Sequence, residues 1–351
     1  MIVTMKRSVG LLLVLLVGCS SSPQTTPSAS LTTGSLRARA LATLRQATNS
    51  EQPLIRANAI EMLEPAVEPL RAAVERGLVD PNSGVRFVSA MALGKRRLCG
   101  SIGLVRPLLE DSSASVRAAA IFAMVICGED SVDQTPLSVM VLGMDRATRA
   151  NAALVLSEIG NPTAAAVLRE AMKRPLQIDD PDVVRASELG LAEALVRLGD
   201  RRQLETIRAA FFAPASQAEL TALASQMAGR LSDRTLVPAM AALALATGPR
   251  QAGPELRLIA AEALARIDAK MALPALAEEF SGSDMPEVRM QASAVLGWDR
   301  SAGGMATLSR LLVDPVERVR VAAAGSILRR SARPRSMPLP VPKPGSFTAS
   351  D

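Results

Sequence analysis

The residues with chemistry to offer are few and scattered. The chain has 351 residues, three of them cysteine and none histidine. Without an imidazole there is no His general base, no Ser-His-Asp triad, no Cys-His dyad and no His-ligated metal. The carboxylates do not converge either. Ile178-Asp179-Asp180-Pro181-Asp182 holds three acids but lacks the alternation and central Gly of a calcium loop, so it reads as solvated capping acids. Glu278 and Glu279 are adjacent on a helix and do not form a facing pair. Gly303-Gly304 has no P-loop context and reads as a turn. The expectation is therefore no enzyme: no catalytic residue, no metal ligand and no cofactor. Aromatic residues make up 2% of the chain, one Trp and six Phe with no Tyr, too few to stack sugars or single-stranded bases. Net charge is +6, but Lys6 and Arg7 lie in the leader. Arg329, Arg330, Arg333, Arg335 and Lys343 crowd near the C-terminus. The near-neutral body lacks the basic face of a nucleic-acid binder.

What does recur is an arginine. An apolar residue followed by Arg opens an Ala-rich stretch at Ile55-Arg56, Val85-Arg86, Val116-Arg117, Val184-Arg185, Leu256-Arg257, Val288-Arg289 and Val319-Arg320. Thr148-Arg149 fits the register, and Leu220-Thr221 fits without the Arg. The intervals run from 30 to 36 residues, a period that signals a solenoid of supersecondary units. Each unit reads as two helices. In the last, Gly303–Leu312 forms helix A, Asp314-Pro315 turns the chain, and Val316–Leu328 forms helix B. In the second, helix A is Pro69–Leu78 and helix B Val85–Leu93, with Gly94 as its C-cap. Strand patterns are missing. The fold expected is all-α, an α-solenoid of about nine helix pairs over residues 35–330. Laid side by side at helix-packing distance, nine units span roughly 80–90 Å.

The turn acids precede the arginines at fixed spacing: Asp80/Arg86, Asp111/Arg117 and Asp314/Arg320 are six apart, Asp180/Arg185 and Asp284/Arg289 five. The Asp can cap helix B while the Arg reaches a neighbouring turn carboxylate, giving a structural ladder down the stack.

These units resemble HEAT-like repeats of the bacterial phycobilisome-lyase type. The residues that carry the likeness are DPNSGVRFVSAMALGK (80–95), DSSASVRAAAIFAM (111–124), DPDVVRASELGLAEAL (180–195) and VDPVERVRVAAAGSIL (313–328). Function does not follow from such a fold. Among HEAT-like enzymes, deoxyhypusine hydroxylases hold iron through His-Glu pairs, which this chain lacks. The resemblance implies that helix B lines a concave face. Phe87, Val88, Met91, Phe122, Leu154, Leu223, Leu258 and Ile259 then fall where the family often carries charge. Either they form an apolar partner groove for an amphipathic helix or extended segment, or they tuck between units as core. Ala118, Ala119, Ala150 and Ala186 leave gaps that favour the core.

Residues 1–18 read as an export signal: Lys6 and Arg7 precede the apolar run Val9–Val17, too short to span a bilayer. Leu16-Val17-Gly18-Cys19 resembles the lipobox of bacterial lipoproteins, in which the Cys is acylated. Residues 19–34 form a polar tether. Ser20 beside the Cys implies an outer-membrane lipoprotein facing the periplasm. Residues 331–351, with alternate prolines in PLPVPKP, read as a disordered tail or docking spacer. Cys99 and Cys127 fall in nearly equivalent places in adjacent units. Two buried free thiols are the favoured reading over a bridge. The function expected is a lipid-anchored scaffold or adaptor for an unidentified protein partner, held at the membrane and binding no nucleic acid. The alternatives are a lyase-like subunit or chaperone holding a prosthetic group, and a cell-wall binder using the basic tail.

Overall fold

The computed structural model describes residues 33–129, 131–178, 180–248 and 251–332. The expected leader, Cys19, most of the expected tether and the tail beyond Ala332 lie outside the described residues. Seventeen α-helices occur among the described residues, in nine successive units. The first four are α1 (Thr33–Ala47) with α2 (Pro53–Met62), α3 (Val67–Gly77) with α4 (Ser83–Lys95), two 3-10 turns (Cys99–Leu104, Arg106–Glu110) with α5 (Ala114–Ile126), and α6 (Thr135–Leu142) with α7 (Arg146–Ile159). Then follow α8 (Ala164–Met172) with α9 (Pro181–Arg197), α10 (Leu204–Phe211) with α11 (Ala218–Leu231), and α12 (Val237–Leu245) with α13 (Pro254–Ile267). The last are α14 (Pro274–Phe280) with α15 (Pro286–Leu296) and α16 (Ala302–Leu311) with α17 (Glu317–Ser331). Pro53, Pro181, Pro254, Pro274 and Pro286 each open a helix, where the missing N–H costs nothing.

The second helices form an inner wall. In chain order α2 packs on α4, α4 on α5, α5 on α7, and so on to α15 on α17. The array does not end there, because α17 packs on α2 and, along its length, on α1. The solenoid is a closed ring. Ser50, just past α1, donates its hydroxyl to Glu317 Oε2 at the start of α17, 3.1 Å away. The end of α1 therefore meets the start of α17, and the two run antiparallel. The seam is packed like the rest of the wall. Leu36, Ala40 and Leu44 of α1 are buried, and α17 buries Val319, Val321, Ala324, Ile327 and Leu328. Gly325 lies against the Met62 side chain of α2. The open array of roughly 80–90 Å is thus corrected to a circumference, and the inner wall is roughly 27 Å across between helix axes.

Glycines set the spacing of that wall. A Cβ on Gly94 would meet the Phe122 ring at 2.5 Å, and one on Gly229 the Ala263 backbone at 2.9 Å. Gly94 is buried inside α4, so its expected role as a C-cap is corrected: it lets α5 approach. Cys99 and Cys127 form a disulfide with Cα atoms 5.4 Å apart. The expectation of two free thiols is overturned because closely apposed inner helices bring the two turns within bridging distance.

Candidate functional site

The recurring arginines mark one face of the ring, at the turns between first and second helices. Arg56, Arg86 and Arg289 each reach forward to the carboxylate of the next unit. Arg86 Nε and Nη2 lie 2.7 and 2.9 Å from Asp111, Arg56 pairs likewise with Asp80, and Arg289 with Asp314. Each Arg also donates to carbonyls of its own turn, Arg86 Nη1 to Asp80 O at 2.8 Å. The Arg86 hydrogen bond holds the Asp111 carboxyl below the usual carboxylate range, against the cost of burial. Burial opposes ionisation of Asp80 and Asp314 more strongly, yet Arg56 and Arg289 outweigh it and both are also lowered.

The other members of the pattern differ. Arg117 and Arg320 donate only to carbonyls of their own turns, and exposed Arg185 has no partner among the described residues. Asp180 caps α9. Asp80, Asp111 and Asp314 instead accept from the N–H two residues on. Their expected capping role is corrected, Asn82 being the cap of α4. The Asp284 carbonyl accepts from Arg289. Arg149 is 2% exposed. Its Nη2 donates to the Ala171 carbonyl, while Nε and Nη1 have no partner.

The apolar groove is corrected too. Met91, Phe122, Leu258 and Ile259 are buried core, as the alternative reading expects; Phe122 fills the space left by Gly94 of the preceding inner helix. Phe87, Val88, Leu154 and Leu223 are half-buried and packed against that core. Leu223 also lines a cleft of about 460 Å³ with Arg146, Asp180, Asp182, Gln217 and Glu219 at one mouth of the ring.

The lumen carries charge instead. Nine residues are two and a half helical turns, so the ninth residue after each recurring position points away from the ladder. Those residues include Lys95, Glu158, Arg230, Arg266, Trp298 and Arg329. They join into a collar across six inner helices. Lys95 Nζ lies 3.9 Å from Glu158, which Arg197 of α9 meets at 3.1 Å. Arg197 also pairs with Glu193, which Arg230 of α11 grips through Nε and Nη2, both at 2.7 Å. Burial opposes ionisation of Glu193, but these two guanidiniums hold its carboxyl below the usual range. On α13, Glu262 pairs with Arg266 at 3.4 Å. Arg266 and Arg329, from the helices either side of α15, lie 5.7 and 5.2 Å from the Trp298 ring centre, within cation–π range. The Trp298 Nε1 is buried without a hydrogen-bond partner. Burial pushes Arg329 down, and nearby Arg266 adds to that against Glu262. A guanidinium stays charged, so Arg266 and Arg329 both stay cationic beside the indole, with Glu262 near them and Glu61 and Glu64 on the same cavity wall as Arg329.

Two small cavities lie against the two arginines that hold Trp298, one at Arg266 and one at Arg329. One of about 180 Å³ is lined by Gln226, Arg230, Ile259, Glu262 and Arg266. The other, about 190 Å³, is lined by Glu61, Met62, Glu64, Gly325 and Arg329 across the seam. Sequence reasoning missed the collar. The signal was present in the ninth position, visible only once all units are aligned. Among the described residues no group of three or more His, Cys, Asp or Glu is placed to hold a metal ion, and no helix is long and apolar enough to cross a membrane.

Comparison with known proteins bears on the architecture. A family model described as HEAT repeats matches residues 41–125. A search of curated proteins finds no match. Among solved structures the chain is similar to human deoxyhypusine hydroxylase in complex with glycerol, at 15% identity, with a TM-score of 0.32, covering 86% of this chain and 99% of that one. That protein is by name a hydroxylase, so the expectation that this chain is not an enzyme is withdrawn. A likeness at that TM-score carries no activity across. Residues 41–125 match HEAT repeats, and the described chain is an α-solenoid of the repeat-scaffold kind.

Proposed function

We propose that this protein is a lipid-anchored ring of the bacterial cell envelope that holds another protein at its charged lumen. The collar carries this reading: paired acids and bases run along five inner helices, and Arg329, in no ion pair among the described residues, and an unpartnered indole N–H leave one arc unsaturated. Repeat solenoids offer such continuous surfaces to partners. Export is supported by the lipobox resemblance at Cys19 and by the Cys99–Cys127 bridge, since structural disulfides persist in oxidising compartments.

Two experiments test it. A photo-crosslinking residue in place of Gln226 or Glu61, both lining lumen cavities, is expected to trap one discrete protein in cells. No adduct from either position overturns the lumen as the partner site. Metabolic labelling with a fatty-acid analogue is expected to mark the wild type and not Cys19→Ala. Label retained by the variant overturns the anchor.

A further inference from the structure

The face that bears the arginine ladder also bears a row of exposed apolar side chains. Val79, Met144, Ile178, Phe212, Leu245 and Val313 each sit where a first helix turns into a second, at 73, 49, 38, 68, 56 and 63% exposure. Leu54 and Met285 take the same place at the starts of α2 and α15, at 70 and 53%. Eight of the nine units thus present one large apolar tip, and the unit at Asp111 presents none. Only three other large hydrophobic residues are comparably exposed among the described residues, Val67, Leu104 and Val139. Because the inner helices run the same way round the ring, all eight tips crown a single rim.

We propose that this crown docks on a lipid surface, the tips entering the bilayer interface side by side. This extends the anchored reading and is independent of the lumen partner. The tips are separated by polar turns rather than fused into one patch. A protein would need matching sockets spaced around a ring, whereas a bilayer accepts isolated side chains at any position. Exposed Arg146 and Arg185 stand on the same rim among the exposed acids Glu51, Asp180, Glu219, Glu255 and Asp284, so the apolar tips and not net charge carry the docking. The chain outside the structure is long enough. α1 rises about 22 Å, and it starts at the face opposite the crown. The fourteen residues Cys19–Thr32 reach roughly 46–50 Å when extended, so an acylated Cys19 reaches the plane of the crown.

The test uses the processed chain from residue 19 with Cys19→Ser, so that no acyl chain contributes. Vesicles of phosphatidylethanolamine with a minority of phosphatidylglycerol are the probe. The wild-type ring is expected to co-sediment with them. The triple variant Val79→Ser, Phe212→Ser, Val313→Ser is expected to bind about tenfold or more weakly, with its melting temperature unchanged. An environment-sensitive fluorophore on Val313→Cys is expected to shift to the blue with vesicles, and one on Val67→Cys, at the opposite face, is not. No wild-type co-sedimentation, equal binding by the variant, or equal shifts at both sites overturns the proposal. So does a wild-type dimer in solution that the triple variant abolishes, which would assign the crown to a second copy of the chain. Failure here leaves acylation of Cys19 and the lumen crosslinks to be judged on their own results.

Discussion

Asp111 takes both arms of the Arg86 guanidinium while its own backbone turn supplies a third donor. A carboxylate so held has a folded-state value below its ordinary one near about 3.9. Its stabilisation is therefore full above that ordinary value and is lost as pH falls through the lower, folded value. Asp80, Asp233 and Asp314 share the direction. Thermal melts taken from neutral pH into acid should show stability falling below about pH 4. Asp111→Asn should cost about 1–3 kcal/mol at neutral pH and flatten the acid limb. Glycine gives a second test at this scale. Gly94→Ala puts a methyl into the Phe122 ring and should cost about 1–3 kcal/mol. Gly190 lies inside α9 with open space around it, so Gly190→Ala should stabilise by about 0.5–1 kcal/mol. Equal effects at the two sites would remove close helix approach as the reason for Gly94.

The helix pairs were legible element by element, because the apolar-Arg register and the Asp-Pro turns repeat with the period of the fold. What the spacing could not carry was direction. The arginines reach neighbouring turn carboxylates as the repeats predict, but the spacing does not say which neighbour: Arg86 meets Asp111 one unit on, and Asp80 meets Arg56 one unit back. Sequence distance within a unit says nothing about which neighbour a side chain leans toward. The bridge between Cys99 and Cys127 escaped for a related reason: whether the two Cα atoms come within bridging distance depends on how closely two inner helices pack, which Gly94 sets. Reduction, or Cys99→Ser with Cys127→Ser, should cost about 3–4 kcal/mol for a loop of this size, read as a fall in melting temperature under reductant. Phe122→Ser should cost about 3–5 kcal/mol from the same interface. Half-buried Phe87→Ser should cost visibly less.

Closure is the property of the whole molecule that no window of sequence displays. It arises from a small rotation per unit summed over nine units, together with a seam that only the first and last helices can make. Removing α1 should expose the buried α17 face and loosen the seam. Hydrogen exchange should then quicken in α17 and α2 while α9 and α11, across the ring, stay protected. Uniform quickening would mean that the ring melts as one unit rather than opening at its seam.

Antiparallel packing of α1 on α17 has one more consequence. Thr33 and Ser331 emerge at the same end of the seam, so the order in which the nine units are strung is a matter of where the chain happens to be cut. A circular permutant is therefore expected to fold. A short linker would join Ser331 to Thr33, and new ends would open between Gly160 and Asn161, an exposed turn on that same face. It should melt within a few degrees of the parent. Once the ring is closed, no unit is first and none is last.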